Sequence, residues 1–460
     1  MSAEDVLDPA PTEELDAPGQ ETLDELLTCL DTGERDHFLE ILEPLHAADI
    51  ADLLEQASSQ QRADILEFWG KDIDGEVLSE MEDGTRIDVL EQIPDEIVSM
   101  AIKDLDTDDV VDLIEDMAVE QRSRVFDALE DADRLAVRRA LEYPEYTAGR
   151  LMQRELVMAP PHWTVGDAID DMRRDPDLPS RFYDLVVVDP RMQPIGKVPL
   201  HRLMGASRKT PLSELMDEDF RTFAAEKSQE DIAYAFNQYH IISAPVVDET
   251  GRLVGLITID DAMDVLNEEN DEDIKRLGGV GDESLSDSVI STTRQRFPWL
   301  FVNLITAVLA SIVISFFSGT IEAVVALAVL MPIVASMGGN AGTQSLTVAV
   351  RALATKDLTK TNAWRVIRRE GLVGLLNGCL FAIIIGIVGV VWYGDPMLGV
   401  VLALAMIGNL FVAGLAGIGI PMVLEKMGID PALASGAFVT TVTDIVGFFA
   451  FLGLAALILL

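Results

Sequence analysis

The sequence predicts a multidomain protein with an all-α superhelical N-terminal domain, a tandem α/β domain, an acidic linker helix and a five-helix α transmembrane domain. Two internal repeats occupy residues 21–270, and five stretches further on are apolar and long enough to cross a bilayer. The formal net charge is −44, from 34 basic and 78 acidic residues. All of it falls on residues 1–296, because residues 297–460 hold seven charges of each sign.

The first repeat predicts the superhelical domain, which we assign to residues 21–141. Leu45–Leu54 recurs as Leu105–Ile114, with apolar residues at helical spacing, and the register continues to the Gln-Arg pairs at 61–62 and 121–122. Short helices that each bury one face stack into a solenoid. Residues 1–20 are acidic and lack an apolar core, so we expect a disordered N-terminus there and no signal peptide.

The second repeat predicts two α/β units within residues 142–260. Leu185–Asp189 is matched by Ala244–Asp248, and Thr164–Ile169 by Ser228–Ala233, so each unit runs helix, strand, turn, strand, helix. This arrangement resembles a pair of cystathionine-β-synthase-type (CBS) domains, a regulatory module that often binds adenine nucleotides.

The linker, assigned to residues 261–290, is predicted to form an acidic helix directly before the first membrane stretch. Asp261, Asp264, Glu268 and Glu272 share one face of such a helix. Each pair of like-charge neighbours costs about 0.2–0.5 kcal/mol, and a bound Mg²⁺ would cancel these repulsions. A plain solvated acidic helix is the alternative interpretation.

The membrane domain, residues 291–460, is predicted to contain five spans, at 297–319, 323–350, 371–394, 396–424 and 431–460. Basic residues precede the first span and separate the second from the third, which places both sites on the cytoplasmic side. We therefore expect a multi-pass protein of the cell (inner) membrane, with cytoplasmic N-terminal domains and its C-terminus outside. The Gly338-Gly339 sequence within the long second stretch indicates a broken or tightly packed helix.

Asp444 is the only charged residue between Pro431 and Leu460. A carboxylate at mid-membrane costs about 2.5–3.5 kcal/mol on insertion scales, so such residues usually line an ion path or pair with a partner. Asp444 lies about 20 Å along its helix from Pro431, near mid-membrane. The sequence favours an ion-path role, and a buried hydrogen bond to another helix is the alternative.

The composition argues against several classes of function. The acidic surface is unsuited to binding nucleic acid. Cys29 and Cys379 lie in different domains, which excludes a disulfide framework. The scattered histidines, the lack of a Ser/His/Asp arrangement and the lack of a GxxxxGKS loop predict a protein that is not an enzyme and that transports passively.

The order of these parts resembles the MgtE family of magnesium channels. The most specific matches are Pro332–Gln344 with Arg351–Thr355, and Gly428–Ala432 followed by Thr443–Gly447. The resemblance implies a homodimer in membrane lipid with its pore on the two-fold axis, and Mg²⁺ as both the transported and the regulatory ion. It also implies that the linker helix acts as a plug that closes the pore when cytosolic Mg²⁺ is high. Binding of ATP by the CBS pair is left open.

The resemblance further implies a set of site residues. Asp444 would line the ion path together with Asn340, Gln344 and Thr440. The regulatory metal positions map onto Glu76, Asp108, Asp112, Glu230, Asp261, Asp264, Glu269, Glu272 and Asp273. This chain departs from the family pattern at Ser228 and His240, which replace acidic ligands, at Thr343, which replaces an amide, and at Gly436, which replaces a polar pore residue.

Two alternatives stay open at this point. One is a transporter of another divalent cation, such as Mn²⁺ or Co²⁺, because an all-oxygen site selects hard ions without separating Mg²⁺ from Mn²⁺. The other is a nucleotide-regulated solute transporter that carries a CBS pair.

Overall fold

The computed structural model describes residues 19–117, 119–129, 131–176, 178–179, 181–281, 283 and 289–460. The N-terminus expected to be disordered, residues 1–20, lies outside this range except for its last two residues. The chain divides into two compact units, Met1–Leu266 and Asn267–Leu460. The mixed fold class predicted from the sequence is confirmed.

The N-terminal domain is built from short helices that stack around one continuous apolar core. Phe38, Leu53 and Leu113 lie within this core and are at most 1 % exposed. The helices are α1 (Gln20–Thr32), α2 (Arg35–Leu42), α3 (Ala47–Gln56), α4 (Ser59–Trp69), α5 (Gly75–Ser79), α6 (Asp83–Gln92), α7 (Asp95–Ala101), α8 (Thr107–Asp116), α9 (Val119–Ala128) and α10 (Asp131–Ala140), with 3₁₀ turns at Gly70–Asp72 and Ile102–Asp104.

The repeated arginines explain why the first repeat extends to positions 62 and 122. Arg62 is buried, and its Nε donates to the carbonyl oxygen of Leu54 at 2.9 Å, at the C-terminal end of α3. Arg122 does the same for α8, since its Nη2 donates to the carbonyl oxygen of Glu115 at 2.6 Å. The last carbonyls of a helix have no intrahelical donor, so each arginine caps the helix before it.

Two similar α/β units follow, and their elements are α11 (Ala148–Leu151), β1 (Met158–Ala159), α12 (Val165–Met172), β2 (Asp184–Val188), β3 (Pro194–Pro199), α13 (Leu200–Gly205), α14 (Leu212–Leu215), β4 (Phe223–Ala224), α15 (Gln229–Tyr239), β5 (Ser243–Val247) and β6 (Leu253–Thr258). Each unit has a three-stranded sheet whose first pair is parallel and whose second pair is antiparallel. The sequence predicted the two longer strands of each sheet. It missed β1 and β4, because two residues are too few to show a periodicity.

The remaining helices are α16 (Ile259–Leu277), α17 (Val289–Ser315), α18 (Ser318–Ala323), α19 (Ala326–Ala354), α20 (Ala363–Tyr393), α21 (Pro396–Lys426) and α22 (Pro431–Ile458). The predicted linker helix is α16, which begins in the first compact unit and ends in the second. Five of the helices, α17 and α19 to α22, are long and apolar enough to cross a membrane. All five correspond to the predicted spans, although α17 and α20 each begin eight residues earlier than predicted.

The second predicted span is one unbroken helix, and its glycines allow close packing against neighbouring helices. Helix α19 is continuous through Gly338 and Gly339, so the broken-helix interpretation is wrong. Gly338 and Gly342 are buried, and they bring α19 against α21 and α22. Glycines serve α20 in the same way, because a Cβ atom on Gly378 would lie only 2.9 Å from the Cα of Ile407 in α21.

Candidate ion path and cytosolic carboxylate cluster

One face of α19 is polar over most of the length of the helix. At 100° per residue, six polar or charged side chains fall within an arc of about 100°, and all six are exposed: Ser336, Asn340, Thr343, Gln344, Thr347 and Arg351. The opposite face carries the buried residues Gly338, Gly342 and Ser345. Polar side chains are expensive against hydrocarbon, so a face of this kind lines a hydrated path or meets another protein surface.

Helix α22 packs against α19 at Gly342, on the buried face opposite the polar one. A Cβ atom on Gly342 would lie 2.6 Å from Cγ1 of Val439 and 3.5 Å from Cγ2 of Thr443. The two backbones therefore approach closely at the residue before Asp444. The contact brings the helix with the intramembrane carboxylate next to the helix with Asn340 and Gln344.

Asp444 is half-buried and makes no hydrogen bond or ion pair with any residue that the structure describes. Among the described residues, Asp444 therefore has no hydrogen bond to a neighbouring helix. Thr440 lies one turn earlier on the same face of α22 and is exposed. Its Oγ1 donates to the carbonyl oxygen of Gly436 at 3.0 Å, which leaves its lone pairs to accept from a water or a hydrated ion.

A second group of carboxylates lies in the soluble N-terminal part, where α8 meets the first turns of α16. Burial is the main cause that raises the pKa of Asp108 well above its ordinary range, and the charges of Asp261 and Asp109 add to it. Asp108 is 8 % exposed, and its Oδ1 has no donor among the described residues. Burial followed by the Asp261 charge raises the pKa of Asp109 to about 7.

Burial and neighbouring charges also raise the pKa values of the other carboxylates in this group. We call the group the carboxylate cluster; its members are Glu80, Asp106, Asp108, Asp109, Asp261 and Asp264. Burial raises the pKa of Asp261 to about 7, although the Thr258 hydroxyl donates to its Oδ2 at 2.7 Å. Burial, then Glu155 and Asp260, raises the pKa of Asp106 to about 6. The pKa values of Asp264 and Glu80 are also raised, by partial burial first and by neighbouring charges second. Burial thus disfavours the ionised form of each member of the cluster, and repulsion between neighbouring carboxylates adds to it.

The structure brings together some of the residues that the resemblance implied and leaves others apart. Asp108, Asp261 and Asp264 belong to the cluster, and the charges of Glu76 and Asp112 act on its members. Glu230 is exposed on the first turn of α15, while Glu269, Glu272 and Asp273 lie on the second half of α16. Within the described residues, no three His, Cys, Asp or Glu side chains form a preformed metal cage.

Sequence reasoning missed Asp109, Asp106 and Glu80 as members of the cluster. Asp109 follows Asp108 in the first turn of α8, where acidic residues are common because they favour the positive end of the helix. Because this explanation suffices for the sequence, it gives no indication that Asp109 lies near α16. The signal available was the run of three aspartates within four residues at 106–109.

Within the second unit, the second half of α16 contacts the C-terminal end of α19 and the N-terminal end of α22. Arg276 forms ion pairs with Glu272 and with Asp430, the N-cap residue of α22. Arg351 at the end of α19 donates to Oδ1 of Asn270 at 2.6 Å. Leu277 packs against an apolar group on α19 and α22. Glu272, implied as a metal ligand, is therefore neutralised by an arginine here.

The fold and these two sites define a multi-pass membrane transport protein with a soluble, acidic N-terminal part. A family profile described as a divalent cation transporter, MgtE, matches residues 331–454, the MgtE intracellular N domain matches residues 45–146, and CBS domains match residues 148–209 and 212–268. The magnesium transporter MgtE of Bacillus subtilis (strain 168) is 30 % identical over 439 residues, covering 94 % of this chain and 97 % of that protein. The chain belongs to the MgtE family.

Further relatives cover the chain to different extents. The magnesium transporter MgtE of Thermus thermophilus is 32 % identical over 441 residues, which is 94 % of this chain and 98 % of that one. A solved structure of the cytosolic domain of the Mg²⁺ channel MgtE in complex with ATP is 29 % identical, with a TM-score of 0.49. It covers 53 % of this chain and 99 % of that chain.

Proposed function

We propose that the chain transports Mg²⁺ passively across the cell membrane, as a homodimer whose ion path is lined by Asp444 and by the polar face of α19. The observation that carries the proposal is the Asp444 carboxylate, which lies without a described partner in the middle of a membrane helix that packs on α19, the helix with the polar face. The magnesium transporters to which the chain is similar over nearly its whole length support the choice of ion.

The physical chemistry favours a hydrated divalent cation as cargo. Mg²⁺ gives up its waters reluctantly and prefers oxygen ligands, so a path lined by carboxylate, amide and hydroxyl groups can hold the ion through its water shell. Two Asp444 side chains near one axis would repel each other, and a doubly positive ion between them removes that repulsion. A second copy of the chain would also cover the polar face of α19, which lipid alone would leave unsolvated.

Charge placement supports the proposed orientation. The six basic side chains between 351 and 369 lie at the ends of α19 and α20 and in the turn between them, and all are exposed. Basic residues near the ends of spans stay in the cytoplasm. The acidic domains are then cytoplasmic, and the C-terminus after α22 is outside.

Regulation by cytosolic Mg²⁺ follows from the carboxylate cluster. Asp108, with an unpartnered buried oxygen, and Asp261 and Asp264 on α16 are suited to hold Mg²⁺, either directly or through water. Bound Mg²⁺ would neutralise the repulsion between α8 and the first turns of α16 and so favour the compact arrangement. Because Asp261 and Asp264 lie in the first turns of α16, this neutralisation acts on the linker helix itself.

The direct test is ion flux into liposomes that contain the purified protein, with Mg²⁺, Mn²⁺ and Co²⁺ supplied separately. We expect Mg²⁺ flux that Asp444→Asn and Asp444→Ala abolish while the folded protein is retained. Asp395→Asn is the matched control, because Asp395 caps α21 and asparagine caps equally well. Flux that persists unchanged in Asp444→Asn would remove Asp444 from the path, and flux of Mn²⁺ or Co²⁺ without Mg²⁺ would favour the other-cation alternative.

Calorimetry on the full chain in detergent tests the nucleotide-regulated alternative. Mg²⁺ and ATP are titrated separately into the protein. Heat from Mg²⁺ that is lost in an Asp108→Asn/Asp261→Asn variant supports ion-driven regulation. Heat from ATP with none from Mg²⁺ would instead make the CBS pair the sensor.

A further inference from the structure

Asn409 places a polar amide at the centre of α21, where its side chain has no exposed surface. Its Nδ2 donates to the carbonyl oxygen of Val334 in α19 at 2.8 Å. Its Oδ1 has no hydrogen-bond donor within the part of the chain that the structure describes. An unmade hydrogen bond to a buried group costs about 1–3 kcal/mol, so packing alone would be served better by an apolar residue. The amide therefore calls for an explanation other than core filling.

Glycines on two different helices make the space for this amide. A Cβ atom on Gly338 of α19 would overlap Nδ2 of Asn409, and a Cβ atom on Gly447 of α22 would lie 2.7 Å from the same nitrogen. Neither position could hold an alanine unless the Asn409 side chain or the helices moved. The Asn409 side chain thus fills the junction of α19, α21 and α22, and it is hydrogen-bonded to the first of these.

The junction lies at the level of the proposed ion path along both helices. Gly338 is two residues, or about 3 Å of helix rise, from Asn340, which lies on the opposite, polar face of α19. Gly447 is three residues, or about 4.5 Å of rise, from Asp444. A group that sets the separation of Gly338 from Gly447 therefore also sets the separation of the α19 polar face from the Asp444 carboxylate.

We propose that Asn409 is a positioning residue of the ion path, which holds α19 and α22 at the separation that permits Asn340 and Asp444 to act on the same ion. This inference rests on the proposed transport function. The hydrogen bond to Val334 fixes the amide to α19, and the contact with Gly447 determines how closely α22 can approach. Asn409 does not touch the ion, since it is enclosed by the three helices.

The test compares Asn409→Ala, Gly447→Ala and the double variant in liposome flux, each normalised to the amount of folded protein. We expect each single change to lower Mg²⁺ flux about tenfold and to alter the Mg²⁺ to Mn²⁺ flux ratio, because misplacing site groups by about 1 Å has effects of this size or larger. The double variant should recover flux relative to both single variants. Removing the amide vacates the space that a Gly447 methyl group would enter, so the two changes compensate.

Two neighbouring glycines provide matched controls. Gly339→Ala adds a methyl group to α19 where nothing lies within 4 Å, and Gly453→Ala adds one to α22 where only Phe317 Cζ comes within 3.9 Å. Both should keep wild-type flux and ion ratio, whereas Gly338→Ala should resemble Gly447→Ala.

Three results separate this inference from its alternatives. If Asn409→Ala lowers thermal stability but leaves flux per folded molecule and the ion ratio unchanged, Asn409 is merely structural and the inference fails. If the double variant loses flux as the product of the two single losses, the contact with Gly447 does not carry the effect. Should Asn409→Ala not fold, Gly447→Ala and Gly338→Ala test the same separation in a chain that keeps the amide. A wild-type protein that conducts no Mg²⁺ would instead overturn the proposed function itself.

Discussion

Arg276, near the end of the linker helix α16, forms an ion pair with Asp430, the residue that caps the helix carrying Asp444. Asp430 uses both carboxylate oxygens, since Oδ1 accepts from the backbone N–H of Ala432 at 2.7 Å and Oδ2 meets Arg276. The contact connects the acidic linker to the start of the proposed pore helix. It gives the linker a physical means to bias the position of α22.

Breaking this ion pair should weaken closure by cytosolic Mg²⁺. We expect Arg276→Gln to raise liposome flux at high internal Mg²⁺ about fivefold or more, a typical coupling between linked sites. Asp430→Asn should give the same increase, because asparagine keeps the helix cap but loses the ion pair.

The double variant and a neighbouring residue complete this test. Arg276→Gln combined with Asp430→Asn should be no more open than Arg276→Gln alone, since the arginine change already removes the Arg276–Asp430 ion pair. Lys275→Gln removes a positive charge one residue away and should close normally. Normal closure in Arg276→Gln would show that this ion pair does not hold the gate.

Replacing the α19 amides with apolar residues should reduce transport without unfolding the protein. We expect Asn340→Leu and Gln344→Leu each to lower Mg²⁺ flux about tenfold, since the ion's waters lose hydrogen-bond partners. Both side chains are exposed on the polar face, so the core is unchanged. Val348→Leu, which introduces the same side chain outside that face, is the control and should retain flux. Equal flux in all three variants would place the ion path elsewhere.

The raised pKa values of the carboxylate cluster predict that protons and Mg²⁺ compete. The pKa values of Asp109 and Asp261 lie near 7 in the folded chain, above the ordinary value of 3.8, so the folded state binds more protons between these limits. The free energy of unfolding should therefore fall as pH rises from about 4 to about 7 and change little above that. Protonated carboxylates do not need Mg²⁺, and ionised ones do.

Limited proteolysis of the full chain with and without Mg²⁺ measures this competition. Mg²⁺ should slow cleavage of the cytosolic part strongly at pH 8 and weakly at pH 5. In an Asp109→Asn/Asp261→Asn variant the Mg²⁺ effect at pH 8 should largely disappear, whereas Glu230→Gln, outside the cluster, should keep it. A Mg²⁺ effect that is the same at both pH values would argue against competition at these carboxylates.

Close packing of α20 on α21 predicts a stability effect without a direct functional one. Gly378→Ala should destabilise the membrane domain by about 1–3 kcal/mol, because the added methyl group would meet the Ile407 backbone. Gly408→Ala, where nothing lies within 4 Å, should change stability by little more than the gain in helix propensity. The midpoint of thermal or denaturant unfolding in detergent measures the difference. Equal midpoints would contradict the packing seen here.

Much of the fold was predictable because each element carries its own periodic signal. The Leu45–Leu54 and Leu105–Ile114 repeats predict helices with one buried face, and the structure has α3 and α8 there. The apolar run of each α/β unit predicts a buried strand, and β2 is buried at every residue. Strands β1 and β4 were not predictable, because they exist only through their parallel pairing with β2 and β5.

The candidate sites were predictable only in part, for a related reason. Asp444 is evident in the sequence because a lone charge in an apolar run is costly wherever its neighbours lie. Asn409 is less costly and gives no such signal, so its role depends on Gly338 and Gly447, which lie 71 and 38 positions away along the chain. Asp261, whose charge acts on Asp109, lies 152 positions further along the chain.

The sequence alone determined the number of membrane helices, the repeats, the acidic character of the soluble part and the presence of one carboxylate deep in the bilayer. These follow from local composition and spacing, which need no knowledge of what packs against what. Tertiary structure decided that Asp444 has no described partner, that Asp109 joins Asp108 and Asp261, and that the Asn409 amide lies between two glycines. Such relations arise when distant segments pack together and exclude water from one another. Only then do burial, close approach and an unmade hydrogen bond contribute to the free energy of the folded chain.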